Sequence, residues 1–201
     1  ESLEAKIAKG EGLKAGDKVY TVGMKKIIAL FHIGQEDIAN GMNILGAHID
    51  SPRLDLKQNP LYEEAEQALL DTHYYGGVKK YQWVTLPMAL HGVVVKEDGT
   101  KVNVVIGESK DDPVVGISDL LIHLSAKQMQ KKATEVIEGE NLDILIGSRP
   151  LKDLEDDKKK EAVKQNVLNI LKEKYDMEEE DFLSAELEIV PAGKARECGL
   201  D

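Results

Sequence analysis

A histidine and an aspartate separated by one residue are the strongest candidates for chemistry in this sequence. His48 and Asp50 come at the end of an apolar run, residues 42–49, which we predict to be a buried strand. A histidine at the end of such a strand projects at the edge of the sheet where α/β proteins place their ligands. Its imidazole nitrogen can bind a divalent metal ion, and a nearby carboxylate can orient the ring or support the metal centre. The pattern alone is weak, since a histidine near a strand end is more often a hydrogen-bonded structural residue.

The other four of the five histidines have less distinctive surroundings. His123 falls in a predicted helix over residues 119–130, where it is either a site residue or a packing residue. His32 lies inside an apolar run and is interpreted as a core or edge residue. His73 precedes two glycines that suit a tight turn near a ligand, and its role stays open. His91 precedes the predicted hairpin and is interpreted as a residue at a domain junction.

The hydrophobic pattern predicts a mixed α/β protein with one domain inserted into another. Two Val-rich runs flank Asp98-Gly99, a strong hairpin signal, and two apolar patterns have helical spacing. The predicted strands cover residues 19–22, 27–33, 42–49, 54–56, 88–96, 101–106, 142–146 and 184–190, and the predicted helices cover residues 119–130 and 152–176.

Composition excludes several classes of function. The formal net charge is −11, so a general nucleic-acid-binding surface is not expected. No apolar run approaches the roughly 18 residues of a membrane span, and no secretory signal is visible, although the chain starts at a residue other than Met. A single cysteine, Cys198, permits neither an intrachain disulfide nor a cysteine-cluster zinc site, and favours a reducing, cytoplasmic location.

The stretch around His48 resembles a known metal-site signature. It reads Gly-Ala-His-Ile-Asp-Ser-Pro-Arg-Leu-Asp-Leu-Lys and is similar to the signature of the aspartyl aminopeptidase and aminopeptidase I family of zinc metallopeptidases. Further blocks that resemble this family follow in the family's order, at residues 59–63, 75–77, 89–95, 120–124 and 185–192.

The resemblance implies an activity, a fold and an assembly. Members of this family hydrolyse N-terminal residues, often acidic ones, from peptides by means of a water activated by two divalent metal ions, normally Zn²⁺. Their catalytic domain has a sheet flanked by helices, and an inserted β-rich domain drives assembly into large homo-oligomers. The implied division is residues 1–90 for the first part of the catalytic domain, 91–190 for the oligomerisation domain, and 191–201 for the return into the catalytic domain.

The resemblance also implies roles for three residues. His48 corresponds to a ligand of one zinc ion, and Asp50 to the catalytic carboxylate beside it. His123 corresponds to a histidine that reaches the active site of a neighbouring subunit, where it binds substrate or stabilises an oxyanion. The family's other metal ligands and its glutamate base have no match in this chain, so we expect only part of the site here. The alternative interpretation is a non-catalytic fragment that acts as an assembly module or binds a single metal ion.

Overall fold

The computed structural model describes residues 1–152 and 159–199. The chain forms two compact units, Glu1–Ile49 and Asp50–Asp201, which we call unit 1 and unit 2. Strands and helices are both present, so the predicted mixed α/β class is confirmed.

Unit 1 contains one short helix and one β-hairpin. Helix α1 spans Leu3–Ala8, and strands β1 (Lys18–Gly23) and β2 (Ile27–His32) pair antiparallel. The β-branched and aromatic residues of both strands predict this pairing. The connecting turn places Met24 and Lys25 at φ 49° and 59°, the left-handed conformation that tight hairpin turns use.

Residues 42–49 do not form the strand that their apolar character predicts. The segment is irregular, and its side chains are open to solvent, with Leu45 99% and Ile44 80% exposed. A strand requires a neighbour that shares its backbone hydrogen bonds, and no strand in the described part of the chain pairs with this segment. The prediction that His48 ends a buried strand is therefore wrong.

Unit 2 is built on a six-stranded antiparallel sheet. In space the strand order is β6-β5-β8-β3-β4-β7, so the last strand in the chain lies between two earlier hairpins. The sequence predicts all of these strands except β4 at least in part, but for β3 it predicts only residues 54–56. They are β3 (Arg53–Glu64), β4 (Gln67–Tyr75), β5 (Met88–Val95), β6 (Lys101–Ile106), β7 (Ile144–Gly147) and β8 (Ala185–Pro191).

The predicted domain boundary near His91 falls inside β5. Strands from both sides of this position belong to the same sheet, and the division between compact units lies between Ile49 and Asp50. The division of the chain into residues 1–90, 91–190 and 191–201 stays a prediction.

The core of unit 2 lies between this sheet and helix α2 (Ala162–Tyr175). The buried face of the helix packs against β3, β4 and β7 and consists of Ala162, Val163, Val167 and Leu171. At the start of the helix, the Glu63 carboxylate accepts hydrogen bonds from the backbone N–H groups of Val163 and Lys164, both at 2.9 Å. The first N–H groups of a helix have no partner within it, so this carboxylate from β3 fixes where the helix begins.

Helix α2 confirms the second half of the helix predicted over residues 152–176. The stretch 153–158 of that prediction lies outside the described residues. Neither α-helix in the part of the chain that the structure describes has the length and apolar character that a membrane crossing requires.

Asp176 ends α2 in the left-handed conformation, at φ 53°. Its carboxylate pairs with the ammonium group of Lys172 at 2.6 Å and with that of Lys96. The hydrogen bonds from these two lysines lower the pKa of Asp176 from 3.8 to about 2. A carboxyl group with a lowered pKa in the folded state stabilises the fold above its unfolded pKa. That contribution is lost as the pH falls through the folded pKa.

We expect Asp176→Asn to remove part of the fall in stability that the wild-type protein shows between about pH 4 and pH 2. Asparagine tolerates the left-handed conformation, so the backbone is retained. The effect is small, because the pair is exposed and screened by solvent. Urea unfolding across this pH range measures it, with Glu173→Gln on the same helix as the control. An unchanged pH dependence in Asp176→Asn would contradict the assignment.

Candidate functional site

His48 belongs to unit 1 and lies in the irregular segment after a short 3-10 helix, Ile38–Asn40. The residue is exposed. Its imidazole is therefore accessible to a ligand, but the regular strand that was expected to hold it is absent from the described structure. Asp50, the other half of the motif, is the first residue of unit 2.

Asp50 has a defined hydrogen-bond partner within unit 2. The hydroxyl of Tyr75, the last residue of β4, donates to the Asp50 Oδ2 atom at 3.2 Å. Asp50 is exposed, so this bond holds a carboxylate that water also reaches. The sequence singles out Asp50 in the His-x-Asp motif and Tyr75 in the block at residues 75–77, but it does not indicate the bond between them.

Arg53 fixes the ring of Tyr75 from the neighbouring strand. The two residues are directly opposite in the antiparallel pairing of β3 and β4, and the guanidinium carbon lies 4.0 Å from the ring centroid. The Arg53 Nε atom also contacts Asp55 Oδ1 at 2.7 Å and Glu188 Oε1 at 3.1 Å. Burial acts to lower the pKa of Arg53, but the hydrogen bond to Asp55 and the charge of Glu188 outweigh it and raise that pKa. The guanidinium therefore stays charged over the ring, a favourable cation–π arrangement.

A row of titratable side chains crosses the same sheet. His73, Asp55, Glu188 and His91 occupy directly opposed positions on β4, β3, β8 and β5, so they share one face. His91 Nε2 lies 2.9 Å from Glu108 Oε1, which gives this histidine a carboxylate partner. These positions do not identify a functional role for His73 or His91.

A second polar contact lies at the other end of β3. Tyr62 donates a hydrogen bond to Asp143 Oδ2 at 2.6 Å, and burial raises the pKa of both groups. The buried Asp143 Oδ1 atom has no hydrogen-bond partner among the described residues.

His123 lies in a segment without the predicted helix. Residues 119–130 form turns, with a 3-10 helix at Gln128–Gln130, and His123 itself is exposed. Leu121 and Ile122 are 70% and 68% exposed, so the segment has no apolar face packed against the core. A helix of about twelve residues is marginal without such packing, which explains why the prediction of a helix is wrong here.

The aromatic residues near the end of β4 divide between an open cleft and the core. Tyr74 and Tyr81 line a surface cleft of about 520 Å³ with Lys79 and Lys80, whereas Trp83 packs against the core. The Lys80 ammonium lies 6.0 Å from the centroid of the Tyr74 ring.

The described residues do not by themselves fit a resident metal ion. A protein zinc site has three or four protein ligands. Within residues 1–152 and 159–199, no group of three or more His, Cys, Asp or Glu side chains is arranged to hold a metal. His48 is thus a single candidate ligand rather than part of a complete set.

Comparison with known proteins identifies relatives along almost the whole chain. The sequence pattern of the family described as aminopeptidase I zinc metalloprotease (M18) matches residues 3–201. A probable M18 family aminopeptidase 1 from Clostridium acetobutylicum is 64% identical over 200 residues, which cover 100% of this chain and 42% of that protein.

Two solved structures of M18 family aminopeptidases are similar to this chain in fold. The crystal structure of aminopeptidase I from Clostridium acetobutylicum is similar with a TM-score of 0.82 and 65% identity, covering 96% of this chain and 42% of that one. The M18 aminopeptidase from Thermotoga maritima gives a TM-score of 0.80 and 48% identity, covering 90% of this chain and 38% of that one. The chain thus spans about two fifths of the length of these relatives. With a match that runs from residue 3 to residue 201, the chain belongs to the M18 family of aminopeptidase I zinc metalloproteases.

Proposed function

We propose that this chain is part of a metal-dependent aminopeptidase that uses two zinc ions and removes N-terminal residues, acidic ones among them, from peptides. The observation that carries the proposal is the His48-x-Asp50 motif inside a family match over residues 3–201. In this proposal, His48 binds one metal ion through a ring nitrogen. Asp50 supplies the carboxylate that supports the metal centre.

These two residues are one part of the centre. When bound in such a site, zinc polarises a carbonyl group and lowers the pKa of a bound water. The described residues offer no cluster of three ligands, and the chain covers 42% of its Clostridium acetobutylicum relative. We therefore propose the activity for the full-length protein, in which other residues complete the ligand set, and not for residues 1–201 by themselves.

A second part of the proposal concerns assembly. Residues 91–190 would mediate association with further copies of the chain, and His123 would act on substrate in a neighbour's site. Support comes from the exposure of His123 and of the apolar side chains around it, Leu120, Leu121, Ile122 and Leu124, because exposed apolar clusters commonly mark contact surfaces. Full activity in a His123→Ala variant would contradict the substrate role.

A reducing, cytoplasmic location is proposed from the single, exposed cysteine, Cys198.

The test is chelator-sensitive hydrolysis by the full-length protein. We expect release of the first residue from peptides that begin with Asp or Glu, loss of that release in the presence of a chelator, and its return when Zn²⁺ is added back. Matched peptides with an acetylated N-terminus should resist cleavage, since an aminopeptidase needs the free amine. Hydrolysis that the chelator leaves unchanged would contradict the proposal. Self-association without any hydrolysis would favour the non-catalytic assembly module instead.

A further inference from the structure

The surface cleft of unit 2 beside the end of β4 is rich in groups that donate hydrogen bonds. Just after the strand, Gly76 bends the chain at φ +76°, a conformation that suits glycine, and a short 3-10 helix follows. Tyr74, Lys79, Lys80 and Tyr81 all line the cleft, and no carboxylate of the described residues does so. The cleft therefore presents two positive charges and two hydroxyls without an acid to balance them.

These four donors are available to a ligand. Within the described part of the chain, neither lysine forms an ion pair and neither tyrosine hydroxyl forms a hydrogen bond. The Lys80 ammonium lies 6.0 Å from the centroid of the Tyr74 ring. That ring is closely packed on Gly139, where a Cβ atom would lie only 2.9 Å from the Tyr74 Cε1 atom. A ligand in the cleft thus meets a packed aromatic ring beside a cationic group.

The cleft continues into two neighbouring depressions and forms an extended groove with them. Lys80 and Thr134 line both the cleft and the first depression, and Lys131 and Glu138 line both depressions. Lys131 and Glu138 pair with each other at 3.0 Å, and Glu135 also lines the middle of the groove. The excess of positive charge is therefore confined to the end that carries Tyr74.

The far end of the groove has an apolar lining. Val84, Val136 and Ile137 line it, and all three belong to the hydrophobic core of unit 2 or pack against it. Asp119 and Lys127 also lie there, with opposite charges. The groove thus has one cationic and aromatic end and one apolar end.

An extended peptide of mixed character fits this groove better than other anions do. Acidic side chains of such a peptide would pair with Lys79 and Lys80, while apolar side chains would lose contact with water at the far end. A nucleotide would use only the cationic and aromatic end. A long polyanion such as a nucleic acid would meet Glu135 and Glu138 and a chain with a net charge of −11.

We propose that this groove binds extended peptides that carry acidic residues at one end and apolar residues at the other. The inference goes beyond the function proposed above, because it requires neither His48 nor a metal ion.

The experiment measures the binding of fluorescent peptides to the full-length protein in the presence of a chelator. The peptides are acetylated at the N-terminus and carry two aspartates and two leucines in either order. For the order that binds more tightly, we expect the double variant Lys79→Gln/Lys80→Gln to weaken binding about tenfold, the effect of removing two charge pairs that solvent partly screens. Salt should weaken binding to the wild type more than to the variant. Replacing the aspartates of the peptide by asparagine should weaken binding to the wild type by a similar factor and leave binding to the variant unchanged.

The matched control is Lys101→Gln/Lys110→Gln, which removes two exposed lysines of unit 2 outside the groove and should bind like the wild type. Circular dichroism checks that both double variants are folded. Equal affinity of Lys79→Gln/Lys80→Gln and the wild type, or of the aspartate and asparagine peptides, would overturn the proposal. So would tighter binding of adenosine monophosphate than of either peptide. Because the chelator removes bound metal, the outcome is independent of whether the protein proves to be an aminopeptidase.

Discussion

Replacing His48 by alanine in the full-length protein is expected to lower aminopeptidase activity by about a hundredfold or more and to reduce the bound metal. A metal site with three or four protein ligands loses much of its affinity when one is removed. The fold should survive, because His48 is exposed and lies outside any helix or strand. The loss is therefore one of chemistry and not of packing.

His32→Ala provides the matched control for this prediction. His32 is also an exposed histidine of unit 1, at the end of β2, and lies outside the His-x-Asp motif. Metal content by mass spectrometry, peptide hydrolysis and circular dichroism should distinguish the two variants. Retained metal stoichiometry and near-normal turnover in His48→Ala would show that this residue is not a ligand.

Gly92→Ala is expected to destabilise unit 2 by about 3 kcal/mol or more. Gly92 lies in β5 at φ +153°, and a Cβ atom there would meet the Glu186 carbonyl oxygen at 1.9 Å. Such a contact is impossible without movement of the backbone. The obstructing atom belongs to β8, which lies between β5 and β3 and pairs with both. A shift of the backbone there disrupts the centre of the sheet.

Gly99→Ala in the same hairpin is the control, because it introduces an alanine at a positive φ without a clash with a neighbouring strand. Gly99 also has a positive φ, +84°, but a Cβ atom there has nothing within 4 Å. We expect it to cost about 1 kcal/mol, the ordinary strain of a left-handed residue. Urea unfolding of both variants, monitored by circular dichroism, measures the difference. Equal destabilisation by the two substitutions would show that the close approach to β8 is relieved at little cost.

Local turn chemistry explains which strands could be predicted. The β5–β6 hairpin was predictable because Asp98-Gly99 marks its turn, and the structure confirms it. Strand β4 was missed even though it alternates between buried and exposed residues. It follows a turn in which Ala65 and Glu66 adopt positive φ values of 49° and 60°, and neither residue type signals such a turn.

Apolar patterns predicted two elements that the structure lacks. Residues 42–49 and 119–130 carry the composition of a strand and a helix, but most of their large apolar side chains are exposed. Periodicity reports which face an element would bury, and only a neighbour can supply the surface that buries it. The sequences of these two segments indicate which side chains would be buried, but they do not show whether another element is available to cover them.

The candidate site was also only partly predictable from the sequence. His48 and Asp50 could be found because they are close together in sequence and belong to a recognisable motif. Arg53 and Glu188 are far apart along the chain, and they meet only because β8 pairs with β3. The hydroxyl of Tyr75 reaches Asp50 from a strand that the sequence did not reveal. These supporting residues follow from sheet topology, which a single sequence does not specify.

The position of β8 has a consequence for biosynthesis. Synthesis of the β3–β4 and β5–β6 hairpins is complete at Ile106. Strand β8 (Ala185–Pro191), which lies between the two hairpins in the sheet, is the last of the six strands to be synthesised. At translation rates of about 5–20 residues per second, the earlier strands wait several seconds or longer on the ribosome for their partner. During that interval the facing edges of β3 and β5 have no neighbour, and unpaired edges attract other chains. Nascent chains of this protein should therefore depend on chaperone protection until the final strand of the sheet has been synthesised.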